Sequence, residues 1–420
     1  MRVQLTPDPR RSVRGKLKAA ACMLLATGAS RAAQGAEPTP TNTIDVTGLV
    51  YSERITVIEP TVRFTRLYPD GHSFHAQMTI DSITGASPSG ALPTGVTQTI
   101  TSSSGSTKTI SGSEIPTTDF KDTRYALDAE WLKPLKSITW SIDGHYSREK
   151  DYQSTGVGGK VSFDLNQKLT TLTLGGGYNQ DQVFPVGGTT GGLSPPTVMT
   201  GASTNSKQVA DALIGLSQVV TRRWLLGFSA GMTSESGYLT EPYKVVSVVD
   251  GATGLPVTQL TEERPSSRRR TNVQADSVYH FTRDLLYTSY RYYWDDWNVR
   301  SHTLDLKYRH RVGDDAYVEP HLRYYAQSAA DFYTWGLIQG RPLPDFASAD
   351  YRLNKLDTLT AGLTFAFRPP GFSGEWTVRA EYMAQTGDGH PGDAVGVQQN
   401  YDLFPGLNIF TFVVGYNIDY

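Results

Sequence analysis

The last segment of the chain, Phe410–Tyr420 (FTFVVGYNIDY), decides the fold. Phe410, Phe412, Val414, Tyr416, Ile418 and Tyr420 occupy every second position, with Thr411, Gly415, Asn417 and Asp419 between them, and only Val413 breaks the polar set. Successive side chains of a strand point to opposite faces, so this is a strand with one apolar and one polar face. The same alternation appears upstream at Ile138, Trp140, Ile142 and Tyr146, and at Leu172, Leu174 and Tyr178. It returns at Trp224, Leu226, Phe228 and Met232, and at Leu359, Leu363, Phe365 and Phe367. From Asn42 onward the chain reads as strands of roughly 9 to 14 residues, about sixteen in all.

The connections sort by length. Tight polar turns are expected at Pro69-Asp70-Gly71, Lys133-Pro134-Leu135, Asn166-Gln167, Thr221-Arg222-Arg223, Thr282-Arg283-Asp284, Gly313-Asp314-Asp315 and Pro369-Pro370-Gly371. The alternate connections are short near Ser52, Arg148 and Asp295 but long at Thr84 to Lys121, Gln182 to Asn205, Ser234 to Arg268, Gln327 to Arg352 and Thr386 to Asn408. An antiparallel meander puts every long loop at one end only if it runs up and down, as in outer-membrane barrels with short periplasmic turns and long external loops. Trp131, Trp140, Trp224, Trp376, Phe281, Phe367 and Tyr420 fall beside the tight-turn end, and Tyr146, Tyr178, Tyr292, Tyr324 and Tyr382 toward the loop end, as two aromatic girdles would. A soluble β-sandwich or solenoid also alternates, but its loops have no reason to sort by length. The expected fold is therefore all-β: an antiparallel up-and-down transmembrane β-barrel of about sixteen strands.

Composition agrees. The chain has 420 residues, of which 40 are glycine, 23 are tyrosine and only 19% are charged, which is unlike a helical bundle. Mean hydropathy is −0.35, and no run approaches the roughly 20 apolar residues of a membrane helix. Arg2, Arg10, Arg11, Arg14, Lys16 and Lys18 precede an apolar stretch from Ala19 to Ala29, the layout of a secretory signal peptide. Ser30 and Ala32 suit a cleavage site after Ala32, with Ala36 as the alternative, leaving residues 33–420 as a single barrel domain in the Gram-negative outer membrane. Arg10-Arg11 lacks the rest of a twin-arginine pattern, which favours the general secretory route. Cys22, the only cysteine, leaves with the signal, so the mature chain has no disulfide, thiolate nucleophile or cysteine metal site. Removing residues 1–32 takes seven of the 39 basic and one of the 41 acidic residues, leaving a net charge of −8 that argues against a nucleic-acid partner. Lipid, lipopolysaccharide and the barrel-assembly machinery are the expected partners, the last because Tyr420 ends an amphipathic strand with an aromatic.

If the apolar stripes face lipid, the other face lines the interior. Neighbouring strands then present Asp276 and His280, Arg291 and Tyr293, Asp305, Lys307 and Arg309, Glu319, His321 and Arg323, and, past the next strand, Arg379 and Glu381. Two readings stay open: an ionic ladder that stiffens and hydrates the barrel, or a constriction that orients a charged or polar solute. On the opposite wall Asp128, Glu130, Asp143, Lys160, Asp164 and Asp211 lean acidic, which would set a transverse field.

No catalytic constellation is expected. His145 and Ser147 share one side of a strand, but Ile142 and Tyr146 mark the lipid face and send the pair inward. Asp295-Asp296 reads as solvated carboxylates in a tight external hairpin. His72 and His75 point to opposite faces of a strand and make a poor metal pair, so no metal or cofactor is expected. Gly175-Gly176-Gly177 lies within a strand, where it permits bending or close packing and lacks the setting of a phosphate loop. Arg268-Arg269-Arg270 reads as a solvated basic rim, with lipopolysaccharide phosphates as the sharper alternative. Among the loops, Ser102 to Gly112 is Ser/Thr/Gly-rich and short of apolar anchors, which reads as mobile. Gln327 to Arg352 carries Phe332, Tyr333, Trp335, Leu337, Ile338, Leu343 and Phe346 and is expected to fold into the mouth and narrow it.

Asp81–Pro88 (DSITGASP), Glu241–Val246 (EPYKVV), Tyr290–Thr303 (YRYYWDDWNVRSHT), Arg323–Tyr333 (RYYAQSAADFY) and Ser348–Leu353 (SADYRL) resemble a family of bacterial outer-membrane proteins catalogued only as a domain of unknown function. The resemblance covers nearly the whole mature chain. Relatives often sit in gene neighbourhoods with a small lipoprotein and a periplasmic flavin-transferring enzyme, so the resemblance implies a redox-linked envelope role and a periplasmic lipoprotein or redox partner. It supplies no catalytic residues. The leading expectation is a porin-like channel or transporter for a small polar or charged solute, driven by its gradient because no nucleotide-binding motif is legible. The alternatives are a non-transporting envelope scaffold or receptor and, third, an outer-membrane hydrolase.

Overall fold

The structure, a computed structural model, describes residues 41–52, 54–96, 98–101, 107–200, 204–371 and 374–419. The signal peptide expected at 1–32, both cleavage points and the terminal aromatic Tyr420 lie outside the described residues.

Sixteen strands form the wall. They are β1 (Thr41–Ser52), β2 (Ile55–Leu67), β3 (Ser73–Pro88), β4 (Thr117–Leu135), β5 (Ile138–Arg148), β6 (Tyr152–Leu165), β7 (Thr170–Val183) and β8 (Asn205–Thr221). The second half is β9 (Trp224–Gly237), β10 (Ser267–His280), β11 (Leu285–Asp295), β12 (Arg300–Val312), β13 (Ala316–Gln327), β14 (Leu356–Phe367), β15 (Glu375–Gly387) and β16 (Leu407–Asp419). Each pairs antiparallel with the next, and β16 returns to β1 through pairs such as Ile44 with Ile418 and Val46 with Tyr416, closing the barrel. Closure leaves no sheet edge, the condition for burying a β-structure in lipid. The protein is a transmembrane β-barrel of the up-and-down type.

The tight turns share one end and the long loops the other. One expected turn is displaced: Lys133-Pro134-Leu135 is strand, with Pro134 opposite Thr139, and the reversal falls at Lys136-Ser137. Proline is tolerated there because the β3 pairing stops at Leu132, so Pro134 lies where β4 has lost that neighbour. The expected apolar faces point outward: Ile142, Tyr178, Phe228, Leu363 and Phe410 are all exposed on the barrel exterior. Val413, the exception in the decisive strand, is buried inward with Leu49 and Val57, with Ile55, Ile83 and Ile409 packed around them. The β16–β1–β2 wall is thus lined by an apolar patch.

The long loops fold together over the external end. Val245–Val249 and Pro256–Thr261 form a ribbon, and Leu337–Ile338 from another loop joins Val245–Val249 in parallel. Leu92, Val249, Trp335, Ala394 and Leu403, from four different loops, form one buried cluster. Gln398 is fully buried and donates through Nε2 to the carbonyls of Pro93 (2.8 Å) and Gly254 (3.0 Å), joining three of those loops. Of the stretch 102–112 expected to be mobile, residues 107–110 pair with 98–101 as a two-stranded ribbon, and 102–106 lie outside the described residues.

Candidate functional site

The barrel encloses a cavity of about 2730 Å³ bordered at one end by Asp314 and Arg368 near the tight turns and at the other by Lys244 and Arg352 of the loop cap. All ten of the charged residues singled out in the sequence, Asp276, Arg291, Asp305, Lys307, Arg309, Glu319, His321, Arg323, Arg379 and Glu381, border it. Among the described residues from Asp45 to Glu235 that line the cavity, twelve are carboxylates and seven are Lys or Arg; from Arg268 to Glu381 the numbers are seven and ten. One wall is therefore net acidic and the other net basic, which produces a field across the lumen.

On the basic wall the register makes the pairs. Lys307 faces His321 and His310 faces Val318, which sets Arg309 opposite Glu319, and its Nε lies 2.7 Å from Glu319 Oε2. The same guanidinium lies 4.0 Å over the Tyr317 ring. His321 is held from both sides: Nδ1 is 2.7 Å from Glu381 Oε1 and Nε2 is 3.1 Å from Asp305 Oδ2. A carboxylate on each side requires both ring nitrogens to donate, which makes the ring an imidazolium. Arg379 lies 3.9 Å from the other Glu381 oxygen.

A second assembly sits under the cap. Asp350 accepts from Arg264 at 2.9 Å and from Arg352 Nε at 2.7 Å, and Arg352 reaches Glu241 at 3.2 Å. Glu262, fully buried, accepts from the Glu241 amide (2.7 Å) and from Ser348 Oγ (2.5 Å), and pairs with Arg264 (2.6 Å). Lys244 donates to Ser87 Oγ at 3.0 Å and to the Pro88 carbonyl. Burial pushes Glu262 above the usual carboxylate range, whereas Arg352 and Arg264 outweigh burial at Asp350 and hold it well below. Glu241, Lys244, Arg264 and Arg352 all border the lumen, so the network is also its outer end.

The five segments that carry the family resemblance meet here. Lys244 of EPYKVV bonds Ser87 and Pro88 of DSITGASP, and Glu241 bonds Arg352 of SADYRL. Tyr293, Trp297 and Val299 of the third segment share a buried cluster with Ala330 of the fourth and Leu353 of the fifth. The resemblance therefore rests on the cap and its anchorage more than on the mid-barrel ladder.

Several sequence expectations are corrected. Asp295 is not solvated: its buried carboxylate accepts from Arg268 Nε (2.9 Å), Tyr293 Oη (2.5 Å) and the amides of Trp297 (3.1 Å) and Val299 (2.9 Å). Arg268-Arg269-Arg270 is not a basic rim, because strand alternation turns Arg268 toward Asp295 and Arg270 toward Glu235. None of the expected constriction residues borders the lumen: Trp335 is buried in the four-loop cluster, Phe332 and Tyr333 pack beside Tyr293 and Trp297, and Phe346 is exposed. Apolar side chains in that loop found partners in neighbouring loops instead of the lumen. The inward placement expected of His145 and Ser147 is not among these corrections: both border the lumen, and His145 Nδ1 lies 2.7 Å from Asp128 Oδ1.

One cluster was missed. Oxygens of Asp122, Glu149 and Asp151 lie within 4.8 Å of one another at the loop end of the acidic wall, the one such grouping with metal-ligand spacing found among the described residues. Tyr243 of the cap donates to Asp151 at 2.5 Å. Burial, then the charge of Asp122, pushes Glu149 up to about 8. The set was hidden because Asp122, on β4, meets Glu149 and Asp151 of the β5–β6 connection only through the strand register.

A family model described as "Protein of unknown function (DUF3570)" matches residues 14–418. No curated protein matches. Similar solved structures include the siderophore receptor PirA from Pseudomonas aeruginosa, at 8% identity over 83% of this chain and 57% of that one, TM-score 0.40. The outer membrane protein OpdK from Pseudomonas aeruginosa matches at 8% identity over 91% and 99%, TM-score 0.41. The CymD monoaromatic hydrocarbon channel matches at 7% identity over 95% and 93%, TM-score 0.41. The chain spans a little over half the length of the siderophore receptors it matches. The fold assignment rests on the strand pairing itself.

Proposed function

The chain belongs to the family of proteins of unknown function DUF3570, and from that premise we propose that it is a Gram-negative outer-membrane channel or transporter for a small polar or charged solute, with no enzymatic step of its own. The observation that carries this reading is the charged cavity, whose bordering residues extend from the tight turns to the cap. A barrel meant only to stiffen an envelope gains nothing from opposing walls of unlike charge, whereas a solute in transit is oriented by them. The loop cap, of which residues 332–346 form one part, is the route's outer constriction, with Glu241, Lys244, Arg264 and Arg352 bordering the lumen there. Residues 1–32 act as the export signal, and N-terminal sequencing of the mature protein is expected to begin at Ala33 or Glu37.

The test is single-channel recording of purified full-length protein in planar bilayers, with discrete conductance steps expected. A second reading, a closed scaffold or receptor that meets a periplasmic lipoprotein or redox partner, is favoured by the way four loops share one buried cluster above the lumen. Properly inserted protein that gives no steps in any salt would reject the channel and leave the scaffold.

A further inference from the structure

The basic wall carries two cations that attract Asp305 through space but make no direct contact within the ladder. Arg309 is matched by Glu319, and His321 and Arg379 by Asp305 and Glu381. Lys307 and Arg323 border the same cavity, and neither makes an ion pair or a side-chain hydrogen bond among the described residues. Their positions are set by one register: Lys307 faces His321, and Arg323 faces Asp305. That makes them diagonal neighbours on the inner face, with backbones about 7–8 Å apart, a gap two long side chains close around one small group. Asp305 lies beside both, but one of its oxygens already meets His321. Within the ladder five Lys or Arg and one His face four carboxylates, so the cluster is left net positive. On the next strand Ser289 sits opposite Asp305 and Tyr287 opposite Lys307, and both border the lumen. Across the cavity the acidic wall repels a negative group and drives it toward this side.

We propose that Lys307 and Arg323 form an oxyanion subsite, which holds the carboxylate or phosphate group of the solute as it crosses the barrel. Guanidinium and ammonium together suit such a group, the first by its fork of N–H donors and the second as a point charge. The inference takes its physiological meaning from the channel reading, and the two can fail separately.

The experiment titrates inorganic phosphate, and separately acetate, into full-length protein in detergent micelles by calorimetry, and adds the same anions to the bilayer recording. One saturable site is expected, weakened at least tenfold in the double variant Lys307→Gln/Arg323→Gln and unchanged in Arg283→Gln, which sits at an exposed turn. Lys307→Glu, folded by its heat-modifiable gel mobility, is expected to abolish binding and to shift reversal potential in a salt gradient toward cation selectivity. If phosphate and acetate show no saturable binding, or bind the double variant as tightly as the parent, the subsite is refuted. Saturable binding lost in the double variant, with no conductance steps in any salt, keeps the subsite and removes the channel. Steps without any anion site do the reverse.

Discussion

Glu381 on β15 lies 2.7 Å from Nδ1 of His321 on β13, although β14 runs between them. The contact crosses at Gly362, which the register places opposite His321 on one side and Glu381 on the other. A Cβ at Gly362 would lie 2.4 Å from the Glu381 Cγ, so any larger residue displaces the carboxylate. We predict that Gly362→Val costs about 1–3 kcal/mol through overpacking and separates His321 from Glu381. Urea unfolding in lipid vesicles measures the first effect and the His321 imidazole NMR signals the second. A variant as stable as the parent, with unchanged imidazole shifts, would contradict this account.

Leu322 and Arg323 are consecutive, but Leu322 is 47% exposed on the barrel exterior while Arg323 borders the lumen. Arginine at position 322 would sit near mid-strand on the lipid side, where its insertion costs about 2–4 kcal/mol. Removing the charge next door, in Arg323→Gln, should change stability by no more than about 0.5 kcal/mol, because no ion pair is lost. Folding yield into vesicles compares the two. Equal yields would mean that the faces are assigned the wrong way round.

These two positions show what the sequence makes legible. A period of two is imposed by strand geometry, so the outward set at Ile142, Phe228 and Leu363 and the inward set at Asp305, Lys307 and Arg309 separate without any structure. Loop length carries the topology for the same reason: only an up-and-down path puts all long connections at one end. What stays hidden depends on contacts between distant segments. Asp295 looked solvated because nothing in its own hairpin marks Arg268 as its partner. The sequence shows that Phe332 and Trp335 need burial, but the alternatives to the lumen, Trp297 and Leu92, lie in other loops. Gly362 gave no signal at all, since its role exists only between His321 and Glu381.

The cap should depend on Asp350 above any other single side chain, because Arg264 and Arg352 both converge on it. Asp350→Ala takes one partner from each guanidinium and leaves Arg264 with Glu262 and the half-buried Arg352 with Glu241, a loss of about 1.5–3 kcal/mol. The strands are untouched, so the loss should appear as local opening of 241–264 and 348–353 and not as barrel unfolding. Hydrogen exchange of those segments, with limited proteolysis as a second readout, tests this. Because the Asp350 carboxyl is held well below its usual range, its contribution is complete above the unfolded-state value near 4 and is lost only as pH falls through the lowered one. A cap that opens on mild acidification to pH 5 would therefore point to some other group.

Glu149 behaves in the opposite sense. Burial beside Asp122 raises it from 4.5 to about 8, so at neutral pH one proton is retained among the three carboxylates at the loop end of the acidic wall. Between about pH 4.5 and pH 8 the unfolded chain ionises this group and the folded protein does not, so stability falls as pH rises through that window and levels off above it. Above about 8 the wall gains one negative charge next to the outer end of the cavity. We predict that the permeability ratio of cations to anions rises between pH 7 and pH 9, and that Glu149→Gln removes the rise while leaving the pH 7 value close to the parent's. Reversal potentials in a salt gradient measure both. A parent protein whose selectivity is flat across that range, or a Gln variant that still shows the full rise, would place the titrating group elsewhere.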